Sequence, residues 1–108
     1  MLRIGVTGQN GFIGTHLVNT ISTLENSFEI VNFEKNFFES EKKLDKFVSS
    51  CDVIIHLAAM NRHDIPQVIY ETNISLVKKL ISSLERTKSK PHIIISSSSQ
   101  EERDNLYG

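Results

Sequence analysis

Residues 4–14 read I-G-V-T-G-Q-N-G-F-I-G. This stretch passes from a short β-branched run through three glycines into a helical pattern, an order that predicts strand, turn and helix. Gly8 permits a tight turn off the strand, and Gly11 leaves room for a pyrophosphate to approach the backbone. Gly14 lets the helix pack closely on the strand. The first turn of such a helix offers unpaired N–H groups and a partial positive charge to an anion.

The glycine stretch therefore predicts a dinucleotide phosphate site, because the flanking strand and helix supply the context that such a motif needs. The residues expected to contact the dinucleotide here are Gly8, Gln9, Asn10, Gly11, Phe12, Ile13 and Gly14. The alternative is that the glycines only make a turn.

The composition excludes several classes of protein. A chain of 108 residues is at most one domain, and a formal net charge of -1 with scattered basic residues predicts no nucleic-acid partner. No apolar run approaches the ~18 residues of a membrane span. The four histidines lack ligand spacing, so we expect no metal site. Cys51 is the only cysteine, which favours a reducing cytoplasm.

Hydrophobic periodicity predicts strands at 2–7, 28–33, 52–58 and 92–96, and helices at 12–24, 39–50 and 65–84. This βαβαβαβ pattern predicts an α/β, Rossmann-like three-layer fold with a parallel sheet in the order 3-2-1-4. The cofactor would then lie over the carboxyl ends of strands one and four. A complete fold of this type usually has about six strands. We therefore expect residues 1–108 to be the N-terminal part of an NAD(P)-binding domain, incomplete at the C-terminus, with a substrate domain elsewhere.

The end of the second strand predicts the choice of cofactor. An acid there accepts hydrogen bonds from the ribose hydroxyls of NAD, whereas a nearby cation favours the 2′-phosphate of NADP. Glu34 falls at the acid position and Lys35 follows it, so the two residues favour opposite cofactors. The alternative is that both are ordinary surface charges.

The end of the third strand reads H-L-A-A-M-N-R-H from residue 56. Small residues there would let the backbone pass close to the cofactor, which makes Leu57, Ala58 and Ala59 candidate contacts. Asn61 and Arg62 follow at the edge where ligands bind. The Arg62 guanidinium would either meet a phosphate or carboxylate or be a loop cation in solvent.

Two further polar positions lie among apolar residues. His56 has apolar neighbours and is interpreted as a core histidine, while His63 is a weak candidate acid or base. Asn73 shares a helix face with Ile69 and Val77, so its amide must find partners. It would either bond the sheet backbone or hold a water near the active site.

The last strand runs into four serines, Ser96 to Ser99, and Tyr107 follows nine residues after Ser98. A serine hydroxyl there would hydrogen-bond a substrate oxygen beside a tyrosine that transfers the proton. The alternative is a polar loop with capping potential.

Taken together, T-G-Q-N-G-F-I-G, D-V-I-I-H-L-A-A, the helix with Asn73, the serine run and Y-G at 107–108 resemble the extended short-chain dehydrogenase/reductase family. The resemblance implies Ser98, or less favourably Ser97, and Tyr107 as the catalytic pair. The family's Y-x-x-x-K lysine would fall four residues after Tyr107, beyond this chain, so we expect the chain alone to be inactive.

Within that family, H-L-A-A-M-N-R and S-S-S-S-Q-E-E-R-D-N-L-Y-G resemble the bacterial capsule and O-antigen reductases of UDP-N-acetyl-L-fucosamine synthesis. This resemblance implies reduction of a UDP-4-keto-6-deoxy-hexosamine, NADP(H) favoured over NAD(H), and a homo-oligomeric parent with no membrane partner. Glu34 departs from an NADP preference. The alternatives are an NAD-dependent nucleotide-sugar 4-epimerase or 4,6-dehydratase, or a non-catalytic dinucleotide-binding module.

Overall fold

Strands and helices alternate along the chain in the computed structural model, which describes residues 2–24, 27–58 and 64–95. The predicted alternation is confirmed, although the second and third strands are shorter than expected and the last helix is longer. The strands are β1 (Leu2–Thr7), β2 (Phe28–Val31), β3 (Val53–His56) and β4 (His92–Ile95). The helices are α1 (Phe12–Ser22), α2 (Glu41–Ser50) and α3 (Pro66–Thr87), and a 3-10 helix, Lys35–Glu39, follows β2.

Local sequence signals set the ends of the helices. The Ser40 hydroxyl caps α2 by accepting from the Lys43 N–H at 3.3 Å. Pro66 lies in the first turn of α3, where its missing N–H costs no hydrogen bond. That helix ends at Thr87, and the φ of its C-cap residue Lys88, 55°, lies in the left-handed region.

The sheet is parallel and has the order β2-β1-β3-β4. The predicted Rossmann-like class is confirmed, but the predicted order 3-2-1-4 is wrong for this chain: the third strand pairs with β1 rather than with β2. The reason is the face on which each helix packs. Ile21 of α1 packs with Ile4 on one face of β1, whereas α2 covers the other face at Gly5. A right-handed crossover through a helix on the opposite face returns the chain across β1.

Two apolar layers enclose the sheet. The smaller layer, under α1, is built on Ile4, Val6 and Ile21. The larger layer, under α2 and α3, contains residues that are at most 8% exposed: Phe33, Phe38, Leu44, Phe47, Val48, Cys51, Ile54 and Leu80. The apolar run of β3 therefore suits a central strand covered on both faces.

Helix α2 packs directly on the backbone of β1 at Gly5. A Cβ at Gly5 would lie 2.4 Å from Phe47 Cζ and 2.5 Å from Cys51 Sγ, so any larger residue would push α2 away. Burial raises the pKa of the Cys51 thiol to about 12, and the thiol therefore stays protonated. Cys51 fills space in the core and donates to the Phe47 carbonyl oxygen.

A polar clamp joins α2 to α3 beside this core. The Asp45 carboxylate accepts from the buried Ser83 hydroxyl at 2.6 Å and from Arg86 Nη2 at 2.7 Å. Arg86 also reaches Glu41 at 3.0 Å. Hydrogen bonds from Arg86 and Ser83 hold the pKa of Asp45 below its ordinary value, so the carboxylate remains ionised well into the acidic range.

Candidate functional site

The order of the sheet places its switch point between β1 and β3. From β1 the chain crosses towards β2, and from β3 it crosses the other way towards β4. Ligands of open α/β sheets bind in the crevice outside the carboxyl ends of two such strands. The crevice predicted over strands one and four therefore lies over β1 and β3, because β4 is one position further out.

The loop after β1 makes one wall of this crevice. Gly8 has a φ of +80°, which a residue with a side chain adopts only with strain, and the Gly11 N–H donates to the Gly8 carbonyl oxygen at 3.0 Å. A Cβ at Gly14 would lie 2.1 Å from that same Gly8 oxygen. The first and third glycines are thus required by the turn itself, and the close neighbour of Gly14 is the turn rather than the strand.

Gly11 differs from the other two glycines. Its φ of -76° and ψ of 172° suit any residue, and a Cβ there would meet only the Gly8 oxygen, at 3.3 Å. It is the N-cap of α1 and provides no side-chain cap, so the first-turn N–H groups of the helix have no side-chain acceptor there. The side chains of Phe12 and Ile13 are 81% and 63% exposed beside these groups. This geometry leaves open backbone for an anion at Gly11.

The end of β3 makes the opposite wall. The N–H groups of Leu57 and Ala58 each donate to Thr7 Oγ1 at 3.1 Å, and a Cβ at Gly8 would lie 2.9 Å from the Ala58 nitrogen. The two walls are therefore in direct contact. His56 is 4% exposed, as expected of a core histidine, and its Nδ1 lies 2.8 Å from Thr7 Oγ1.

The end of β2 joins the crevice through Gln9, whose Nε2 donates to the Phe33 carbonyl oxygen. Phe33 is buried among other phenylalanine rings, whereas the next residues, Glu34 and Lys35, are both exposed. Lys35 begins the 3-10 helix. The glycine loop thus holds the backbone immediately before the residues expected to choose the cofactor. Sequence reasoning missed this link, and also the role of the Thr7 hydroxyl.

Several predicted site residues lie outside the described residues. These are Ala59, Asn61, Arg62, the weaker candidate His63, and the catalytic candidates Ser98 and Tyr107. Asn73 lies half-buried on α3, and its role stays a prediction. Within 2–24, 27–58 and 64–95, no group of three or more His, Cys, Asp or Glu side chains is placed to hold a metal ion. In the same ranges no helix has the length and apolar character needed to cross a membrane.

Acidification below about pH 6.5, the ordinary histidine pKa, is expected to destabilise the fold through His56. Burial lowers the pKa of His56 in the folded chain. Among the residues that the structure describes, its neighbours are the Thr7 hydroxyl, the Phe38 ring and the strand partner Ile95, none of which carries a charge. The unfolded chain therefore binds the proton first as the pH falls, and the free energy of unfolding decreases until the lowered folded pKa is reached.

Chemical denaturation at several pH values between about 7.5 and 5 checks this expectation, since the window begins at the ordinary histidine pKa. In the His56→Asn variant, the free energy of unfolding should decrease less steeply as the pH falls, because the contribution of His56 is removed. His92→Asn, at an exposed position on β4, is the matched control. The same pH dependence of the free energy of unfolding in wild type and His56→Asn would contradict the expectation.

A parallel sheet with a glycine turn at its switch point, followed by a helix that has no side-chain N-cap, defines a fold of the Rossmann class. The NAD dependent epimerase/dehydratase family matches residues 4–104, and the chain belongs to this family of NAD(P)-dependent enzymes. The resemblance to extended short-chain dehydrogenases/reductases is thereby confirmed.

Known relatives extend well beyond the length of this chain. It is 31% identical over 107 residues to UDP-2-acetamido-2,6-beta-L-arabino-hexul-4-ose reductase of Pseudomonas aeruginosa, covering 99% of this chain and 28% of the relative. UDP-N-acetylglucosamine 4-epimerase of Bacillus cereus has a similar structure, with a TM-score of 0.68 and 22% identity over 91% of this chain and 40% of that one. RMD of Pseudomonas aeruginosa, complexed with NADPH, has a TM-score of 0.70 and 18% identity over 92% and 36%.

Proposed function

We propose that this chain binds the pyrophosphate of NAD(P) on the glycine loop and forms the cofactor-binding part of a nucleotide-sugar reductase. The observation that carries the proposal is the geometry at Gly11, where neither the backbone angles nor the neighbouring atoms require a glycine strictly. A glycine at such a position leaves space for a ligand that approaches the backbone.

The chemistry of the two walls differs in a way that suits a dinucleotide. The loop presents N–H groups at the positive end of α1, which favour phosphate oxygens. At the end of β3 the N–H groups of Leu57 and Ala58 are already engaged by Thr7, so backbone hydrogen bonding to a ligand there relies on carbonyl oxygens. Carbonyl oxygens accept from ribose hydroxyls. On this proposal the loop wall donates to the phosphates, and carbonyl oxygens at the end of β3 accept from the sugar.

We further propose that the substrate is a UDP-4-keto-6-deoxy-hexosamine, reduced at C4 in the synthesis of a cell-surface polysaccharide. The support is the sequence similarity to the Pseudomonas reductase across nearly the whole chain. Bound NAD(P)H would supply the hydride. Tyr107 would donate its proton to the forming alcohol, Ser98 would hydrogen-bond the carbonyl oxygen, and Asn61 and Arg62 would contact the nucleotide sugar.

Calorimetric titration of the 108-residue chain with NADPH and with NADH tests the binding step, and heat of binding is expected for the dinucleotides.

NADPH oxidation with a UDP-4-keto-6-deoxy-hexosamine tests the reaction. We expect turnover only from a longer polypeptide that supplies a lysine four residues after Tyr107, because a nearby cation stabilises the tyrosinate that remains after Tyr107 has donated its proton. A rate for the short chain within about tenfold of the longer one would show that the catalytic residues are misplaced. Binding without turnover in the longer polypeptide would favour a non-catalytic module.

Lys35→Ala is expected to weaken NADPH binding more than NADH binding, by roughly fivefold, as is reasonable for one exposed cation beside a phosphate. The reason is that Lys35 would turn towards the 2′-phosphate while the Glu34 carboxylate rotates outward, and both side chains are exposed. Lys42→Ala, which removes an exposed charge on α2, is the matched control. Equal losses for both cofactors, or a wild-type preference for NADH, would reject the proposed choice of NADPH.

A further inference from the structure

The hydrogen bonds around Thr7 determine the protonation state of His56. A hydroxyl has one proton and two lone pairs. Thr7 Oγ1 accepts from the N–H groups of Leu57 and Ala58, both at 3.1 Å, and the Leu57 N–H is shared with the Thr7 carbonyl oxygen, also at 3.1 Å. With these two donors facing its oxygen, the hydroxyl directs its own proton to a third partner. That partner is His56 Nδ1 at 2.8 Å. Nδ1 must therefore be unprotonated, and a neutral His56 carries its hydrogen on Nε2.

The Thr7 hydroxyl and the His56 ring are both buried, so each depends on the other for a hydrogen bond. Thr7 is 0% exposed and His56 is 4% exposed, and an unpaired polar atom at such a position is strongly unfavourable. Valine has nearly the shape of threonine and would fill the same space at the end of β1. The polar pair accordingly has a role that packing alone does not require.

That role is visible in what the Thr7 oxygen holds. The two N–H groups that it accepts belong to Leu57 and Ala58, where β3 ends and the crevice wall begins. Gly8, the residue after Thr7, touches this same segment, since a Cβ there would lie 2.9 Å from the Ala58 nitrogen. The Thr7 hydroxyl, together with the Thr7 carbonyl oxygen that also accepts from the Leu57 N–H at 3.1 Å, therefore holds the glycine loop against the opposite wall. The orientation of that hydroxyl depends on an acceptor at His56.

We propose that His56 is a positioning residue for the dinucleotide: its neutral ring accepts the Thr7 proton, which aligns the Thr7 oxygen on the Leu57 and Ala58 amides and sets the width of the crevice. The inference rests on the proposed binding of NAD(P) between these walls. His56 acts through Thr7 and needs no contact with the cofactor.

Affinity for NADPH, measured by calorimetry per folded molecule, tests the proposal in a set of variants. His56→Leu removes the acceptor and is expected to weaken binding roughly tenfold, the effect of one well-placed hydrogen bond. His56→Asn places an amide oxygen near the Nδ1 position and should restore binding to within about threefold of wild type. Thr7→Val should match His56→Leu, Thr7→Ser should bind like wild type, and the double variant should be no weaker than either single one. His92→Asn, at an exposed position, controls for loss of a histidine.

The outcomes separate this inference from the proposed function. If the wild-type chain binds neither NADPH nor NADH, both fail. If wild type binds and His56→Leu binds equally well, only the positioning role is overturned. If affinity falls equally in His56→Leu and His56→Asn, the acceptor is not what matters and the proposal is again wrong. Circular dichroism of each variant without cofactor shows that the affinity refers to folded protein.

A measurement on the wild-type chain keeps the proposal testable where His56→Leu does not fold. Nitrogen-15 NMR of the imidazole rings distinguishes the two neutral tautomers. We expect His56 to carry its hydrogen on Nε2, and slow exchange of the Leu57 and Ala58 amide hydrogens. A hydrogen on Nδ1 at neutral pH would overturn the proposal, because the Thr7 hydroxyl would then have no acceptor.

Discussion

Gly11→Val is expected to abolish dinucleotide binding and leave the fold intact. The backbone angles at Gly11 suit valine, and its Cβ would press only on the Gly8 oxygen, at a distance of 3.3 Å that a small shift relieves. A valine at an N-cap costs about 1 kcal/mol of helix stability, which a folded domain tolerates. The branched side chain would, however, occupy the space through which a pyrophosphate reaches the N–H groups of α1. Affinity should therefore fall by at least roughly a hundredfold, about 3 kcal/mol.

Calorimetry with NADPH and with NADH measures this loss, and thermal unfolding without cofactor measures stability. Gly11→Ser is the matched control, because serine is a favoured N-cap residue and adds much less volume. It should retain stability and lose less affinity than the valine variant. Unchanged affinity in Gly11→Val would show that no pyrophosphate lies on this loop, and the glycines would then only make the turn.

Gly14→Val is expected to destabilise the fold itself, in contrast to Gly11→Val, which is expected to lose cofactor affinity and keep its fold. Gly14 is buried in the first turn of α1, and a Cβ there would lie 2.1 Å from the Gly8 oxygen and 2.8 Å from the Gly8 carbonyl carbon. Both atoms belong to the backbone of a turn that already needs a positive φ, so they cannot move aside without losing the turn. The expected destabilisation is about 3 kcal/mol or more, a large fraction of the stability of a small domain.

Thermal and denaturant unfolding of the variant without cofactor test this expectation. Asn19→Val places the same side chain at an exposed position of the same helix and measures the small intrinsic cost of valine there. A Gly14→Val variant as stable as Asn19→Val would be incompatible with the close contact at Gly8. Comparison of the Gly11 and Gly14 variants separates the glycine that serves the ligand from the one that serves the fold.

The elements of this chain were predictable because their signals are local. The periodicity of 65–84 predicted α3, and the nearly all-apolar stretch 52–58 predicted a strand covered on both faces. The predicted positions of the strand ends were less accurate. The run 28–33 predicted a six-residue strand, but β2 ends at Val31 because Phe33 turns into the core under α2 and the 3-10 helix. Apolar character alone does not distinguish a strand residue from a buried residue that follows a strand.

The glycine loop was predictable for the same reason as the helices, since its spacing lies within eleven residues of sequence. The contacts that complete the crevice were not. Gln9 bonds the Phe33 carbonyl across a sequence separation of 24, and Thr7 pairs with His56 across 49. From the sequence alone, Thr7 is interpreted as an ordinary β-branched strand residue and His56 as a core histidine. Only their juxtaposition shows that the two form one hydrogen-bonded group.

The sequence by itself thus determined that the chain is an α/β protein with a glycine turn between its first strand and its first helix, because periodicity and glycine spacing are properties of neighbouring residues. The tertiary structure decided the rest: that β3 lies beside β1, that the crevice opens between these two strands, and that its walls meet at Thr7. Strand order follows from the face on which each helix packs and from the hand of the crossover. Those are relations between distant segments, and no single stretch of sequence contains them.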